Sequence, residues 1–210
     1  MQLTTYPMVR DGAERLLILL HGWSAEQHHL AAYVPLVDPD ERFSAFCPRA
    51  PHDLDDGDGA SWYDRVDGVP ESDSYVAALD LLDEYVGEKM EGAGIGPERT
   101  VIGGFSQGGF LALSLALRSG APAFAGVWAM CCSIHDTDDV TLDDQSGDGR
   151  PALIQFGELD RIITPERSRA AAQRLESAGW TVTTTGYPMA HSQRVDMMVD
   201  ARDWLATVAR

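Results

Sequence analysis

Lysine is nearly missing from this chain: Lys89 is the one lysine, against fifteen arginines. Acidic residues outnumber basic ones 33 to 16, giving a net charge of −17 at neutral pH. A surface so short of cations excludes the basic patches that nucleic acids or anionic lipid surfaces require. The same surplus fits a protein adapted to a salt-rich cytoplasm, where screening mutes self-repulsion; a GC-rich coding sequence gives the same preference for arginine. Cysteine is also scarce. Cys47, Cys131 and Cys132 are odd in number and lack zinc-type spacing, so buried thiols in a reducing cytoplasm are expected. The adjacent pair on a strand would face opposite sides and form no mutual disulfide. No apolar run reaches membrane-spanning length, and residues 1–10 hold no apolar signal core. These absences predict a soluble cytoplasmic protein, a monomer or homodimer.

What is present is the alternation of a parallel α/β sheet over one domain, residues 1–210. Strands are expected at 15–20, 42–47, 99–103, 124–131, 152–156 and 181–185. Helices are expected at 25–37, 74–90, 107–119, from Pro165 after a Thr164 cap, and at 191–210. The 107–119 segment is apolar nearly all round and has to be buried. Residues 50–72, rich in Asp and Gly, read as a long loop of a length that is usually functional or mobile. The fold class that follows is a doubly wound, mostly parallel sheet with helices on both faces, with ligands beyond the carboxyl ends of the strands.

Gly104-Phe105-Ser106-Gln107-Gly108 matches G-x-S-x-G, with a strand directly before it and a buried helix directly after. A serine on so sharp a turn needs glycines beside it, because the backbone is strained and its neighbours close. Ser106 is therefore the candidate nucleophile. A serine hydroxyl attacks only when a base takes its proton and a third group orients that base. The base must come from His135 or His191, the two histidines after Ser106. His191 lies in a turn between the last strand and helix; His135 sits in an acidic loop. For the acid, Asp160 follows the 152–156 strand, with Glu158 as runner-up and the aspartates of 136–144 as solvated loop residues. The oxyanion needs two fixed N–H donors. One is expected from Gln107, the other from the 21–24 turn, at Trp23 with Ser24 behind it. His21, His28 and His29 invite a metal reading, but neighbouring helix positions face apart and His21 belongs to a turn, so no metal or cofactor is called for.

Beyond that pentapeptide lie L-L-H-G-W at 19–23, P-R-A-P at 48–51, S-W-Y-D at 61–64, G-F-S-Q-G-G at 104–109 and G-E-L-D at 157–160. On these motifs the chain resembles the phospholipase/carboxylesterase family of α/β-hydrolases, the group that includes acyl-protein thioesterases. The resemblance implies a minimal hydrolase without a cap domain and with a shallow apolar acyl groove. It supports the triad Ser106, Asp160 and His191, with oxyanion donors from Trp23 and Gln107. Two positions depart from the family. Phe156-Gly157 stands where His-Gly is usual, and Trp23 replaces a leucine, which narrows the acyl site. Trp62 and Tyr63 are candidate substrate-binding aromatics, with core packing the other use of such rings.

The expected activity is hydrolysis of short- to medium-chain carboxylic esters or thioesters, with a small-molecule substrate. An acyltransferase or peptidase could run on the same triad. A non-catalytic binding protein of this fold is the third reading.

Overall fold

Six of the sheet's strands run parallel; five form from short apolar stretches that end at turns, and the sixth, at the edge, is rich in threonine. A computed structural model of the chain describes residues 3–209 except 56, 58 and 144. The strands are β1 (Thr5–Met8), β2 (Arg15–Leu20), β3 (Phe43–Pro48), β4 (Thr100–Phe105), β5 (Gly126–Met130), β6 (Pro151–Gly157) and β7 (Thr181–Tyr187). Their order across the sheet is β1-β3-β2-β4-β5-β6-β7, with β1 antiparallel to β3 and the rest parallel. Along β2 the side chains alternate between faces. Leu17 and Leu19 join the core cluster on one side, Ile18 and Leu20 that on the other.

Helices cover both faces, as buried parallel strands require. On one side lie α3 (Ser72–Ala93), α4 (Gln107–Leu117) and α5 (Pro165–Ser177). On the other lie α1 (Gln27–Ala31), α2 (Val34–Val37) and α6 (Val195–Val208). Every residue of α4 is buried, which is why its sequence shows no polar stripe. α3 starts on the carboxylate of Glu71, which accepts the N–H groups of Asp73 and Ser74, and stops at Gly94 in a left-handed conformation.

Several expectations change. The 25–37 helix is two helices, because Pro35 has no N–H to give and its ring crowds the preceding turn. Thr164 occupies the position before α5, yet its side chain caps no backbone N–H; Pro165 supplies the start. The terminal helix begins at Val195 rather than 191, leaving His191 in a loop. The 50–72 loop contains two small ladders, His52–Asp53 with Ala60–Ser61 and Arg65–Val66 with Val69–Pro70. All three cysteines are free and buried; Cys131 lies in one core and Cys132 in the other. Among the described residues no helix is long and apolar enough to cross a membrane.

Candidate active site

The site is built at the carboxyl ends of β4, β6 and β7. Ser106 links β4 to α4 with φ 50° and ψ −117°, a backbone conformation that costs a residue bearing a Cβ. The turn is held by the Ser106 N–H, which donates to the Met130 carbonyl on β5 at 2.9 Å. The flanking glycines follow from space: a Cβ on Gly104 would lie 2.4 Å from the Gly108 carbonyl oxygen, and one on Gly108 2.1 Å from that of Leu20.

His191 reaches this turn from the loop after β7. Its Nε2 lies 2.8 Å from Ser106 Oγ and its Nδ1 2.6 Å from Asp160 Oδ2. The other oxygen of Asp160 is taken, since Oδ1 accepts the N–H groups of Ile162 at 2.8 Å and Ile163 at 3.0 Å. The carboxylate, with no exposed side-chain surface, therefore presents one lone acceptor to the imidazole. A carboxylate only accepts, so Nδ1 carries the proton and Nε2 is left to accept from the serine hydroxyl. Phe105 packs on the imidazole at 5.0 Å between ring centroids. The rivals are occupied elsewhere. Glu158 receives both its bonds from Arg169, at 2.8 and 2.6 Å, and His135 stacks edge-on to Tyr75. Cys131 Sγ, Asp160 and His191 offer ligand atoms within 4.8 Å of one another. The carboxylate is nevertheless committed to its hydrogen bonds, and burial pushes the Cys131 thiol up to about 12, which keeps it protonated and a poor metal donor.

The 21–24 turn packs beside Phe105 and α4. His21 is buried; its Nε2 accepts the Ala50 N–H at 2.9 Å, so Nδ1 holds the proton and donates to the Gly22 carbonyl at 2.7 Å. Burial lowers its pKa to about 4, keeping the ring neutral. Trp62 Nε1 donates to the His21 carbonyl at 2.9 Å. Ser24, the alternative oxyanion donor, gives its N–H to Ala60 at 3.1 Å. Trp23 lies in this turn half exposed, and Gln107 is the first residue of α4. His28 and His29 face apart, one against Tyr6 and the other against Phe105.

A small pocket of about 40 Å³ opens beside Ser106, walled by Tyr63, Pro70, Phe110, Ile162 and Ile163, with Arg65 and Arg167 at its edge. Tyr63, a candidate substrate-binding aromatic, lines this pocket. Trp62 corrects the expectation of a substrate-binding ring: its side chain has no exposed surface and lies in the core, braced on His21. The sequence reading missed the buried amide of Gln107. Its Oε1 accepts the Trp62 N–H at 2.9 Å, while Nε2 donates to Ser61 Oγ and the Tyr63 carbonyl, each at 2.9 Å. The pairing of S-W-Y-D with G-F-S-Q-G-G was the available signal. Phe110, Ile162, Ile163, Arg65 and Arg167 were missed as well, since nothing local marks them as lining residues.

Solved structures share this architecture. The carboxylesterase of Bacillus cereus superimposes with a TM-score of 0.85 at 20% identity, covering 98% of this chain and 94% of that one. A carboxylesterase from Mesorhizobium loti gives 0.81 at 22%, covering 92% and 88%. Lysophospholipase-like protein 1 of Mus musculus is 29% identical over 154 residues, 70% of this chain and 63% of that protein. Acyl-protein thioesterase 1 of Gibberella zeae is 33% identical over 103 residues, 48% and 44% of the two. The chain thus spans less than two thirds of either curated relative. Residues 8–209 match the family model described as Phospholipase/Carboxylesterase. Nearly the whole length carries the match, and the chain belongs to the phospholipase/carboxylesterase family of α/β-hydrolases.

Proposed function

We propose that this protein is a serine hydrolase cleaving short- to medium-chain carboxylic esters or thioesters through an acyl-enzyme. The observation that carries this reading is the unbroken relay from Ser106 Oγ through His191 to the buried Asp160, at 2.8 and 2.6 Å. In the forward step Ser106 Oγ attacks the carbonyl carbon while its proton passes to His191 Nε2. The N–H groups of Trp23 and Gln107 stabilise the oxyanion, the second aided by the positive end of α4. The imidazolium then protonates the departing alkoxide or thiolate. Water, activated by the same imidazole, releases the acid and restores the serine. Nucleophile, base, acid and donors all come from the chain, and the reaction calls for no cofactor.

Chain-length preference follows from the room available. The pocket beside Ser106 is small, about 40 Å³. A long tail would have to lie outside it, over exposed apolar surface such as that of Ile162.

The test is a series of p-nitrophenyl esters and acyl thioesters of increasing length, with Ser106→Ala as control. The expected result is fastest turnover of short to medium chains, abolished in the variant. An optimum at long chains overturns the size preference. Activity that survives Ser106→Ala overturns the mechanism.

A further inference from the structure

With acids in twofold excess, an arginine on this surface readily finds a carboxylate. At least nine do, among them Arg49 with Asp53, Arg169 with Glu158 and Arg194 with Asp196. Arg65 and Arg167 do not: among the described residues neither has an ion-pair partner. Both are exposed, and both border the pocket beside Ser106.

They arrive from different directions. Arg65 belongs to the short ladder of residues 65–70, and its guanidinium lies 5.0 Å above the Trp23 ring. Arg167 stands in the first turn of α5, with its guanidinium 5.8 Å from the Phe110 ring centre. A guanidinium resting on a ring uses its face and keeps its in-plane N–H groups free for a flat, two-oxygen acceptor. The buried Tyr63 lines the same pocket. Burial raises its pKa, and both guanidinium charges pull it the other way, as they would for any anion placed there. The protein's overall field repels anions, so an anionic group there would depend on local positive charges such as these two.

We propose that Arg65 and Arg167 are specificity residues, and that the ester hydrolysed at Ser106 carries a carboxylate on its acyl or alcohol side, within reach of these two guanidinium groups. This rests on the serine hydrolase reading and adds the chemical class of its substrate. The carboxylate would accept planar, paired N–H bonds from one guanidinium while the second neutralises it from across the pocket.

Two matched pairs test it. One pair is mono-p-nitrophenyl adipate and its methyl ester, with the charge on the acyl side. The other is 4-acetoxybenzoate and its methyl ester, with the charge on the leaving group. At low ionic strength kcat/KM for the anionic member of at least one pair should exceed that of its neutral partner about tenfold or more, the scale of a hydrogen bond to a charged group. The ratio should fall toward one in Arg65→Gln/Arg167→Gln, stay well above one in Arg65→Lys/Arg167→Lys, and shrink with added salt. Neutral esters turned over as fast as anionic ones in both pairs, or a ratio indifferent to the Gln substitutions, overturns the proposal. If that happens while hydrolysis still depends on Ser106, the serine hydrolase reading stands without it. If none of the four esters is cleaved in a Ser106-dependent way, both readings fall.

Discussion

The side-chain oxygen of Gln107, the residue next to the candidate nucleophile, accepts the backbone N–H of Trp62 from a segment 45 positions earlier. One buried amide thereby fastens the wall of the pocket to the start of α4. Replacing it with alanine leaves the Trp62 N–H without its acceptor, while Ser61 Oγ and the Tyr63 carbonyl keep their own 2.8 Å hydrogen bond. Gln107→Ala should cost about 1–3 kcal/mol, the worth of one buried polar group left unpaired. Urea unfolding measures that loss, and a fall in kcat/KM should accompany it as Tyr63 loosens.

Backbone strain at Ser106 gives a second prediction. Ser106→Gly and Ser106→Ala both remove the hydroxyl, but only glycine accepts φ 50° without penalty. The glycine variant should be about 1 kcal/mol more stable than the alanine variant, strain relief of about 1–3 kcal/mol being partly offset by the freer unfolded chain. Thermal melts of the two inactive proteins make the comparison.

Asp160→Asn tests the tautomer argument. The Ile162 and Ile163 N–H groups hold the acceptor oxygen, which turns the new NH₂ toward His191 and forces its Nδ1 to accept. The ring proton then sits on Nε2, where it cannot receive the one from serine. A fall in kcat of about 10⁴ is expected, with the fold retained. An unchanged kcat would remove Asp160 from the relay.

Acid stability should report on His21, which burial holds at about 4 against an ordinary 6.5. The native state binds fewer protons than the unfolded chain between those values, so stability rises with pH across the window. The contribution is full above pH 6.5 and is lost as pH falls toward 4, up to about 3 kcal/mol. His21→Gln should be less stable at neutral pH, with a gap that narrows on acidification. Urea midpoints followed across that range decide it.

Much of this molecule was legible because local pattern and final environment agree. The run R-L-L-I-L-L has to be a strand buried on both faces, and α4, apolar all round, has to sit inside. The G-x-S-x-G turn combines both signals and locates Ser106 without any knowledge of distant parts. What stayed hidden depends on long-range contacts. β1 is a short edge strand of mixed polarity whose pairing with β3 has no local cue. Trp62 could not be assigned to core or pocket until His21 was seen to receive its N–H. That Arg65 and Arg167 have no carboxylate partner among the described residues is a property of their surroundings, which spacing along a chain does not encode.

The loop after β6 has two duties. The N–H groups of Ile162 and Ile163 orient the Asp160 carboxylate, and the same two residues wall the pocket. Remodelling that wall to admit new substrates would therefore disturb the acid, and selectivity and rate would be expected to change together. The Arg65–Pro70 hairpin borders the same pocket and holds none of the three relay residues. A designer seeking altered selectivity at constant turnover should diversify the hairpin first and leave the acid loop alone.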